Sequence, residues 1–324
     1  MHWVYRTILF QARVRGLLVL PLVVLPDLPG PVSNGRAEIS QRKKNFFLVS
    51  PYWSLFSTFT FHIVNRYAKN RKVTMYIDIK CNLGETDPVT GPGNVEAVMP
   101  FISSAGIACG FHAGDPLTIE RTIRSAKRHG VNIGAHPWYP DRQNFGRKPM
   151  AMSPRELRAM ILYQAGAVKA MAEAAGARMR HVKPHGALYN TASTDYDMSM
   201  NIVRAVKDLD SSLVLVGQSG SQLIRAARNA GLACASEVFA DRAYNDDGTL
   251  VARSVEAAVL HDTELMIRRV IRMIREKVVE TVTGRLITIE AETVCIHGDN
   301  ETAVVFVWKL AAALKAEGIT IKPL

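Results

Sequence analysis

Residue types that perform acid–base and metal chemistry are concentrated in short segments between residues 78 and 300. Histidine titrates near neutral pH and binds divalent metals through its ring nitrogens, and a carboxylate can act as a base or as a metal ligand. Five of the nine histidines fall in these segments, which are also rich in glycine. The segments are Asp78–Glu85, Gly110–Asp115, Gly134–Pro137, His181–Gly186, Gly217–Ser221, Glu237–Arg242 and His297–Asn300.

Seven short apolar runs precede or begin these segments, and each is followed by a polar end and a stretch of helical periodicity. This alternation predicts parallel strands joined by right-handed crossovers. Because the carboxyl ends of parallel strands share one face, the polar groups are expected to converge on one pocket. A closed barrel and an open doubly wound sheet fit the pattern equally well. The predicted strands are Tyr76–Ile79, Ile107–Gly110, Val131–Ala135, His181–Pro184, Leu213–Gly217, Ala233–Phe239 and Thr293–Ile296.

Helix signals and one hairpin signal refine this prediction. Asp115 followed by Pro116 opens one helix, and Gly130 ends it. The sequence Ser153-Pro154-Arg155-Glu156 is a capping box with proline at the first helical position. Residues 278–289, with Thr283-Gly284 at their centre, predict a β-hairpin inserted before the last strand.

The net charge of +11 is carried mainly by the first 74 residues. They hold eleven Lys and Arg against two acidic residues, so the remaining 250 residues have a net charge of only +2. A domain so close to neutral lacks the basic surface that phosphate backbones require, which argues against nucleic-acid binding.

Residues 1–74 are predicted to form a basic, partly apolar leader outside the fold, with translation of the working protein beginning at Met75. Residues 75–324 would then be a single catalytic domain. The apolar run 17–25 is too short to span a bilayer and is interrupted by Pro21, so no stable membrane insertion is expected. Four widely spaced cysteines without a CxxC pair favour a reducing compartment, the cytoplasm.

Taken together, the segments resemble the LamB/YcsF family over essentially all of residues 75–324. The blocks that carry the resemblance are Ile107–Asp115, His181–Asn190 and Phe239–Arg242, supported by Gly134–Pro137 and His297–Asn300. The resemblance implies a distorted seven-stranded (β/α) barrel of the polysaccharide-deacetylase and glycoside-hydrolase type. It also implies the A component of an ATP-dependent 5-oxoprolinase, which opens the lactam of 5-oxoproline to glutamate together with subunits B and C. ATP with Mg²⁺ would be the cofactor.

Within that reaction, we assign proton transfer on the attacking water to Asp78 and His112. His136 and His185 are the second candidates, either as proton carriers or as ligands of a divalent metal. The candidate metal ligands are Asp78, His112 and His136. Lys183 and Arg242 are candidates for the substrate carboxylate or a developing phosphate, or for an internal ion pair with Glu237 or Asp241. Further candidate binding residues are Glu85, Gly110, Gly114, Asp115, Asn190, His297 and Asp299.

The chain departs from the family's first motif, which usually reads Asp-Leu-Asn-Cys-Asp-Leu-Gly-Glu. Lys80 stands in place of the asparagine and Asn82 in place of the second aspartate. Trp138 also occupies a position where a small residue is usual. The altered motif favours one alternative, a non-catalytic scaffold protein within the complex. The clustering of His and Asp and the barrel type leave a second one open, a free-standing, metal-dependent amide hydrolase or deacetylase.

Overall fold

The computed structural model describes residues 75–85, 95–297 and 301–324, together with four short strands within the first 26 residues. The chain divides into two compact units, residues 1–71 and 72–324. In the first unit, β1 (Tyr5–Leu9) pairs with β4 (Leu22–Pro26), and β2 (Ala12–Val14) with β3 (Leu17–Val19), both antiparallel. The predicted start of translation at Met75 is not tested by this arrangement and stays a prediction.

The second unit is a closed barrel of seven parallel strands in its described residues. Neighbouring strands pair in chain order, and the last barrel strand pairs with the first, which closes the sheet. This closure confirms the predicted barrel and excludes the open sheet that periodicity had left available. The barrel strands are β5 (Met75–Leu83), β6 (Ser104–Ala108), β7 (Asn132–His136), β8 (Met179–Val182), β9 (Val214–Gln218), β10 (Cys234–Phe239) and β13 (Thr293–His297).

Helices cover the outside of the barrel, and their predicted caps are present. The Asp115 side chain accepts hydrogen bonds from the backbone N–H groups of the first turn of its helix, which ends at Gly130 in a left-handed conformation (φ 69°). Ser153 and Glu156 form both bonds of a capping box. The helices are α1 (Val95–Val98), α2 (Pro116–His129), α3 (Pro154–Ala174), α4 (Gly186–Thr194), α5 (Tyr196–Leu209), α6 (Gln222–Asn229), α7 (Thr263–Glu276) and α8 (Glu301–Ala316), with a 3₁₀ turn at Met99–Phe101.

Two small additions complete the unit. The predicted hairpin is confirmed as β11 (Val278–Glu280) and β12 (Leu286–Thr288), which pair antiparallel before the last barrel strand. A final strand, β14 (Ile319–Ile321), pairs in parallel with the beginning of β5 and was not predicted. The edge of β5 at Met75–Ile77 is thereby covered by the end of the chain.

The barrel interior is polar rather than filled by branched apolar side chains. Along β5, Ile77 and Ile79 belong to the hydrophobic core, whereas the alternate residues Asp78 and Lys80 are buried polar groups. The Lys80 ammonium forms an ion pair with Glu237, which belongs to a strand that is not a neighbour of β5. Charged side chains therefore cross the lumen.

One glycine makes room for this interior. A Cβ atom at Gly134 would lie 2.1 Å from Nε2 of His181, whose ring is fully buried. Any larger residue there would have to displace the imidazole from the lumen.

No helix within the described residues has the length and apolar character needed to cross a bilayer.

Candidate active site

A cavity of about 680 Å³ opens where the barrel strands end at their carboxyl termini. Its wall receives Glu85 from just after β5, His136 from the end of β7, and His185 from the loop after β8. The structure therefore brings these three predicted residues to one mouth. Four basic residues also line the cavity: Lys183, Arg242, Arg147 and Arg253.

Glu85, His136 and His185 point their polar atoms at one another. The Nε2 atom of His136 lies 3.0 Å from Nδ1 of His185 and 3.6 Å from Oε1 of Glu85. The same carboxylate oxygen lies 3.3 Å from Nδ1 of His185. Within the described residues, this trio is a group of carboxylate and imidazole atoms close enough to hold one metal ion.

His112 supports this trio from behind and does not line the cavity. Its Nε2 atom is 3.2 Å from Oε1 of Glu85, and its ring stacks on His185 with centroids 4.1 Å apart and planes at 8°. The residue is 1% exposed. The structure therefore gives His112 a place next to the predicted catalytic groups but out of reach of the cavity, where it orients the carboxylate.

Burial keeps the three imidazoles neutral. Removal from water lowers the pKa of His185 and of His112 to about 3, and lowers that of His136 well below its ordinary value. A neutral imidazole can bind a metal ion or accept a hydrogen bond through its unprotonated nitrogen, which a charged ring cannot do. Burial has the opposite effect on the nearby Cys109 thiol, raising its pKa to about 12, so that it stays protonated and is a poor nucleophile.

The segment after β7 forms the wall against which His185 rests. The Phe145 carbonyl oxygen lies 3.2 Å from Nε2 of His185, and Phe145 itself has a left-handed backbone (φ 48°). Trp138 is fully buried and meets the His185 ring edge to face at 5.3 Å. A glycine is required at position 146, because a Cβ there would lie 2.3 Å from the indole nitrogen of Trp138. The unusual tryptophan thus shapes the site.

Lys183 is held in an internal ion pair, one of the two alternatives that the sequence left open. Its ammonium lies 2.8 Å from Oε2 of Glu237 and 3.1 Å from the sulfur of Cys295. The Tyr189 hydroxyl donates to the same carboxylate at 2.8 Å, and Lys80 pairs with the other oxygen. The two ammonium groups lower the Glu237 pKa to about 2 despite burial, so this carboxylate is charged.

Arg242 is the better placed of the two candidate anion-binding residues. It donates a hydrogen bond to the Val251 carbonyl from one terminal nitrogen, while its Nε atom has no partner among the described residues. Burial lowers the pKa of its guanidinium, and the neighbouring Arg253 adds to the effect. A buried donor beside a second arginine at a cavity wall is suited to an anionic group.

Asp78 lies apart from the histidines, at the amino-terminal end of the barrel. Its carboxylate accepts hydrogen bonds from the hydroxyls of Ser103 (2.6 Å), Ser104 (2.7 Å) and Thr293 (2.6 Å). The backbone of Asp78 pairs with Thr293, the first residue of β13. Strand β5 continues past Asp78 to Leu83, so Asp78 lies away from the histidines. Its position therefore supports neither the predicted pairing with His112 nor the predicted role as a metal ligand.

We expect Asp78→Ala to destabilise the protein without impairing the chemistry. Three buried hydroxyls would lose their acceptor, which should lower the free energy of unfolding by about 2–5 kcal/mol. Denaturant unfolding measures this loss, and turnover below the unfolding temperature should stay near that of the unsubstituted protein. Asp78→Asn, which keeps an acceptor, should retain more stability; a hundredfold loss of turnover in a folded Asp78→Asn protein would return Asp78 to the mechanism.

The other predicted binding residues divide into three groups. Asp115 is exposed, and its carboxylate accepts the hydrogen bonds of the helix cap. Gly110 and Gly114 form turns with positive φ that no larger residue would adopt readily. Asn190 lines the cavity and is exposed. His297 ends β13 and its backbone pairs with Asn82, but its side chain and Asp299 lie outside the described part of the chain.

Several wall residues were missed by sequence reasoning. Phe145 and Arg147 come from the loop after β7, and Arg253 from the connection after β10. None of these three lies in one of the glycine-rich or histidine segments. Tyr189 lies on helix α4 within the block His181–Asn190 but was not itself a candidate. The only signal available was the length of the segments between the predicted strands, since long connections at the carboxyl ends of a barrel commonly build the site.

Fold and site together define a (β/α)-barrel protein with two imidazoles and a carboxylate facing one another at the barrel mouth. Comparison with known proteins refines this class: residues 77–324 match the model of the LamB/YcsF family. The chain belongs to the LamB/YcsF family.

Individual relatives match about three quarters of the chain. The chain is 50% identical over 246 residues to the A component of 5-oxoprolinase from Geobacillus thermodenitrificans, a match that spans 76% of this chain and 96% of that protein. It is 48% identical over 246 residues to the corresponding 5-oxoprolinase component of Tolumonas auensis, covering 98% of that protein. A crystal structure of a lactam utilization protein from Thermus thermophilus superimposes with a TM-score of 0.72 at 40% identity, over 77% of this chain and all of that one.

Proposed function

We propose that this chain is the A component of a 5-oxoprolinase and that it opens the lactam of 5-oxoproline to glutamate, with ATP hydrolysis. The proposal is supported by the names of its relatives, which it matches at about half identity over nearly their whole length. The Thermus relative, named a lactam utilization protein, agrees with the same substrate class.

The observation that carries the proposal is the meeting of neutral imidazoles and basic side chains in one cavity. A five-membered lactam is stabilised by amide resonance, so attack by water needs a proton acceptor and a better electrophile. His185 and His136 lie at the cavity wall beside the Glu85 carboxylate, where their ring nitrogens can accept a hydrogen bond from the attacking water. Arg242 and Arg253 supply positive charge for the carboxylate of 5-oxoproline or for a phosphate transferred from ATP.

Partner subunits B and C are part of the proposal. The sequence contains no GxxxxGK[ST] loop, so we assign much of the contact with ATP and its Mg²⁺ to the partners. The phosphoryl group would activate the lactam oxygen, and this chain would deliver water to the activated carbon. We also assign the protein to the cytoplasm, because its four cysteines are widely spaced and include no CxxC pair, a pattern that favours a reducing compartment.

Reconstitution tests the proposal. The chain is co-expressed with candidate B and C subunits, and glutamate released from 5-oxoproline is measured with and without ATP and with each component omitted in turn. We expect release only from the complete set with ATP. Failure of the complete set, alongside full activity when a characterised A component replaces this chain, would overturn the proposal.

A second candidate function is a metal-dependent amide hydrolase that acts alone, and the facing atoms of Glu85, His136 and His185 favour it. It differs from the first in one clear respect, since the purified chain would open cyclic amides without ATP or partners. The non-catalytic scaffold is the third interpretation, and it requires that alanine at the cavity histidines leave the activity of the complex intact.

A further inference from the structure

The hydrogen bonds of the two cavity histidines determine which ring nitrogens carry hydrogen. Nδ1 of His136 lies 2.7 Å from the Lys183 carbonyl oxygen, and Nε2 of His185 lies 3.2 Å from the Phe145 carbonyl oxygen. A carbonyl oxygen can only accept, so in the tautomers that make both of these hydrogen bonds each of the two nitrogens is the donor. In a neutral imidazole the other nitrogen then carries a lone pair.

Those remaining lone pairs face each other. Nε2 of His136 and Nδ1 of His185 are 3.0 Å apart, and Oε1 of Glu85, which also offers only lone pairs, lies 3.6 and 3.3 Å from them. Three acceptors converge with no hydrogen between them in this tautomeric arrangement. A contact of that kind is repulsive unless a cation lies among the three atoms.

We propose that Glu85, His136 and His185 bind a divalent transition-metal ion of the zinc type. The three distances between ligand atoms, 3.0, 3.3 and 3.6 Å, surround the separation of about 3.3 Å that a tetrahedral ion with bonds of about 2.0–2.2 Å imposes. The mixed nitrogen and oxygen set is that of zinc-like ions, whereas calcium and magnesium take oxygen ligands.

The surroundings of the trio are those of a prepared metal site. Metal-binding histidines usually donate their second ring N–H to a carbonyl or carboxylate, and both histidines here donate to backbone carbonyls. His112 is placed to donate to Glu85 and would hold the carboxylate in position. The three ligands come from separate barrel segments and line the cavity, so a fourth coordination position would face it and would accept water or a carbonyl oxygen.

Asn82 adds a neutral group to the same region. Its Oδ1 atom is buried without a partner among the described residues, and a Cβ built at Gly106 would lie 3.2 Å from this oxygen and 3.9 Å from the His136 ring. The amide therefore lies on the same side of the lumen as one proposed ligand.

This metal site does not depend on the proposed 5-oxoprolinase activity, since binding can be measured on the chain alone.

Metal titration tests the proposal. The purified chain is stripped with a chelator, titrated with Co²⁺ while the visible d–d absorption is recorded, then challenged with Zn²⁺, and its metal content is measured by elemental analysis. We expect one equivalent per chain, with intense tetrahedral cobalt bands that Zn²⁺ displaces. His136→Ala, His185→Ala and Glu85→Gln should each weaken binding at least about tenfold to a hundredfold.

The chain offers a matched control for these substitutions. His129 and Glu96 form an exposed histidine–carboxylate pair with 3.4 Å between Nε2 and Oε2, and His129→Ala should leave the titration unchanged. Glu85→Gln keeps the size of the side chain, so it serves if an alanine variant fails to fold. Absence of stoichiometric binding, or equal binding by all variants, would overturn the proposal. Nitrogen NMR showing both ring nitrogens of His185 protonated at neutral pH would also overturn it, because a proton would then fill the gap.

Discussion

Replacing His185 by alanine is expected to lower the turnover number of the assembled enzyme by about two orders of magnitude or more. Loss of a side chain that takes part in proton transfer has an effect of this size. His185 is the most exposed of the three clustered imidazoles, and it is placed at the cavity wall. The Michaelis constant for 5-oxoproline should change less, because Arg242 and Arg253, the proposed contacts of its carboxylate, remain at the cavity. Steady-state glutamate release in the complete complex measures both quantities.

His129→Ala is the control for this experiment, since it removes a surface histidine on helix α2. His185→Gln retains the size and polarity of the side chain and separates loss of chemistry from loss of structure. Full turnover in a folded His185→Ala or His185→Gln complex would leave the non-catalytic scaffold as the better interpretation of this chain.

The second large effect concerns the charges inside the barrel. Glu237 is the shared partner of Lys80 and Lys183, all three being buried. We expect Glu237→Gln to lower the free energy of unfolding by about 3–5 kcal/mol, because it leaves two buried ammonium groups without a carboxylate. Lys80→Met should be neutral or stabilising at pH 7, since Glu237 keeps Lys183 and the Tyr189 hydroxyl. Urea unfolding of the three proteins gives the comparison.

The dependence on pH distinguishes Lys80 from a general effect of packing. Burial lowers the pKa of Lys80 from 10.5 to about 8, with Glu237 opposing the shift. Between these values the unfolded chain binds a proton that the folded protein has released, so the stability of the unsubstituted protein should rise with pH relative to Lys80→Met. The destabilisation caused by burying the Lys80 ammonium is complete below about pH 8 and has disappeared by pH 10.5. A stability difference between the two proteins that stays constant from about pH 7 to 10 would contradict this assignment.

Local sequence signals predicted the elements of the fold but not its closure. The apolar runs, the Asp115 and Ser153 caps and the hairpin at residues 278–289 depend on neighbours in sequence, and all three kinds of signal are confirmed. Closure depends on pairing between the first and last barrel strands, residues more than two hundred positions apart. The same holds for β14, whose three-residue length gives too little periodicity to predict.

The candidate site shows the same division. Convergence at the carboxyl ends follows from parallel topology, so Glu85, His136 and His185 could be placed together from the sequence. Asp78 was misplaced because β5 was predicted to end at Ile79, whereas it continues to Leu83. The five residues of β5 that follow Asp78 put about 17 Å of strand between it and the mouth. Orientation of rings and the burial of His112 depend on packing across the lumen, which periodicity does not encode.

The lumen also explains why Lys80 is compatible with the fold despite its departure from the family motif. An ammonium inside a barrel requires a carboxylate within reach, and Glu237 lies across the lumen to supply it. The consequence is a buried group of two cations and one anion, with Cys295 and Tyr189 completing its hydrogen bonds. Sequence comparison identifies the substitution, but only the three-dimensional arrangement identifies its partner.

Attachment of β14 to the start of β5 has a consequence for the order of folding. Strand β5 is synthesised more than two hundred residues before β13 and β14, so the edge that pairs with them stays uncovered until both have left the ribosome. Contacts of such long sequence separation fold slowly. We therefore expect the sheet of a nascent chain to stay open until β13 and β14 have been made, and their pairing with β5 to complete the barrel.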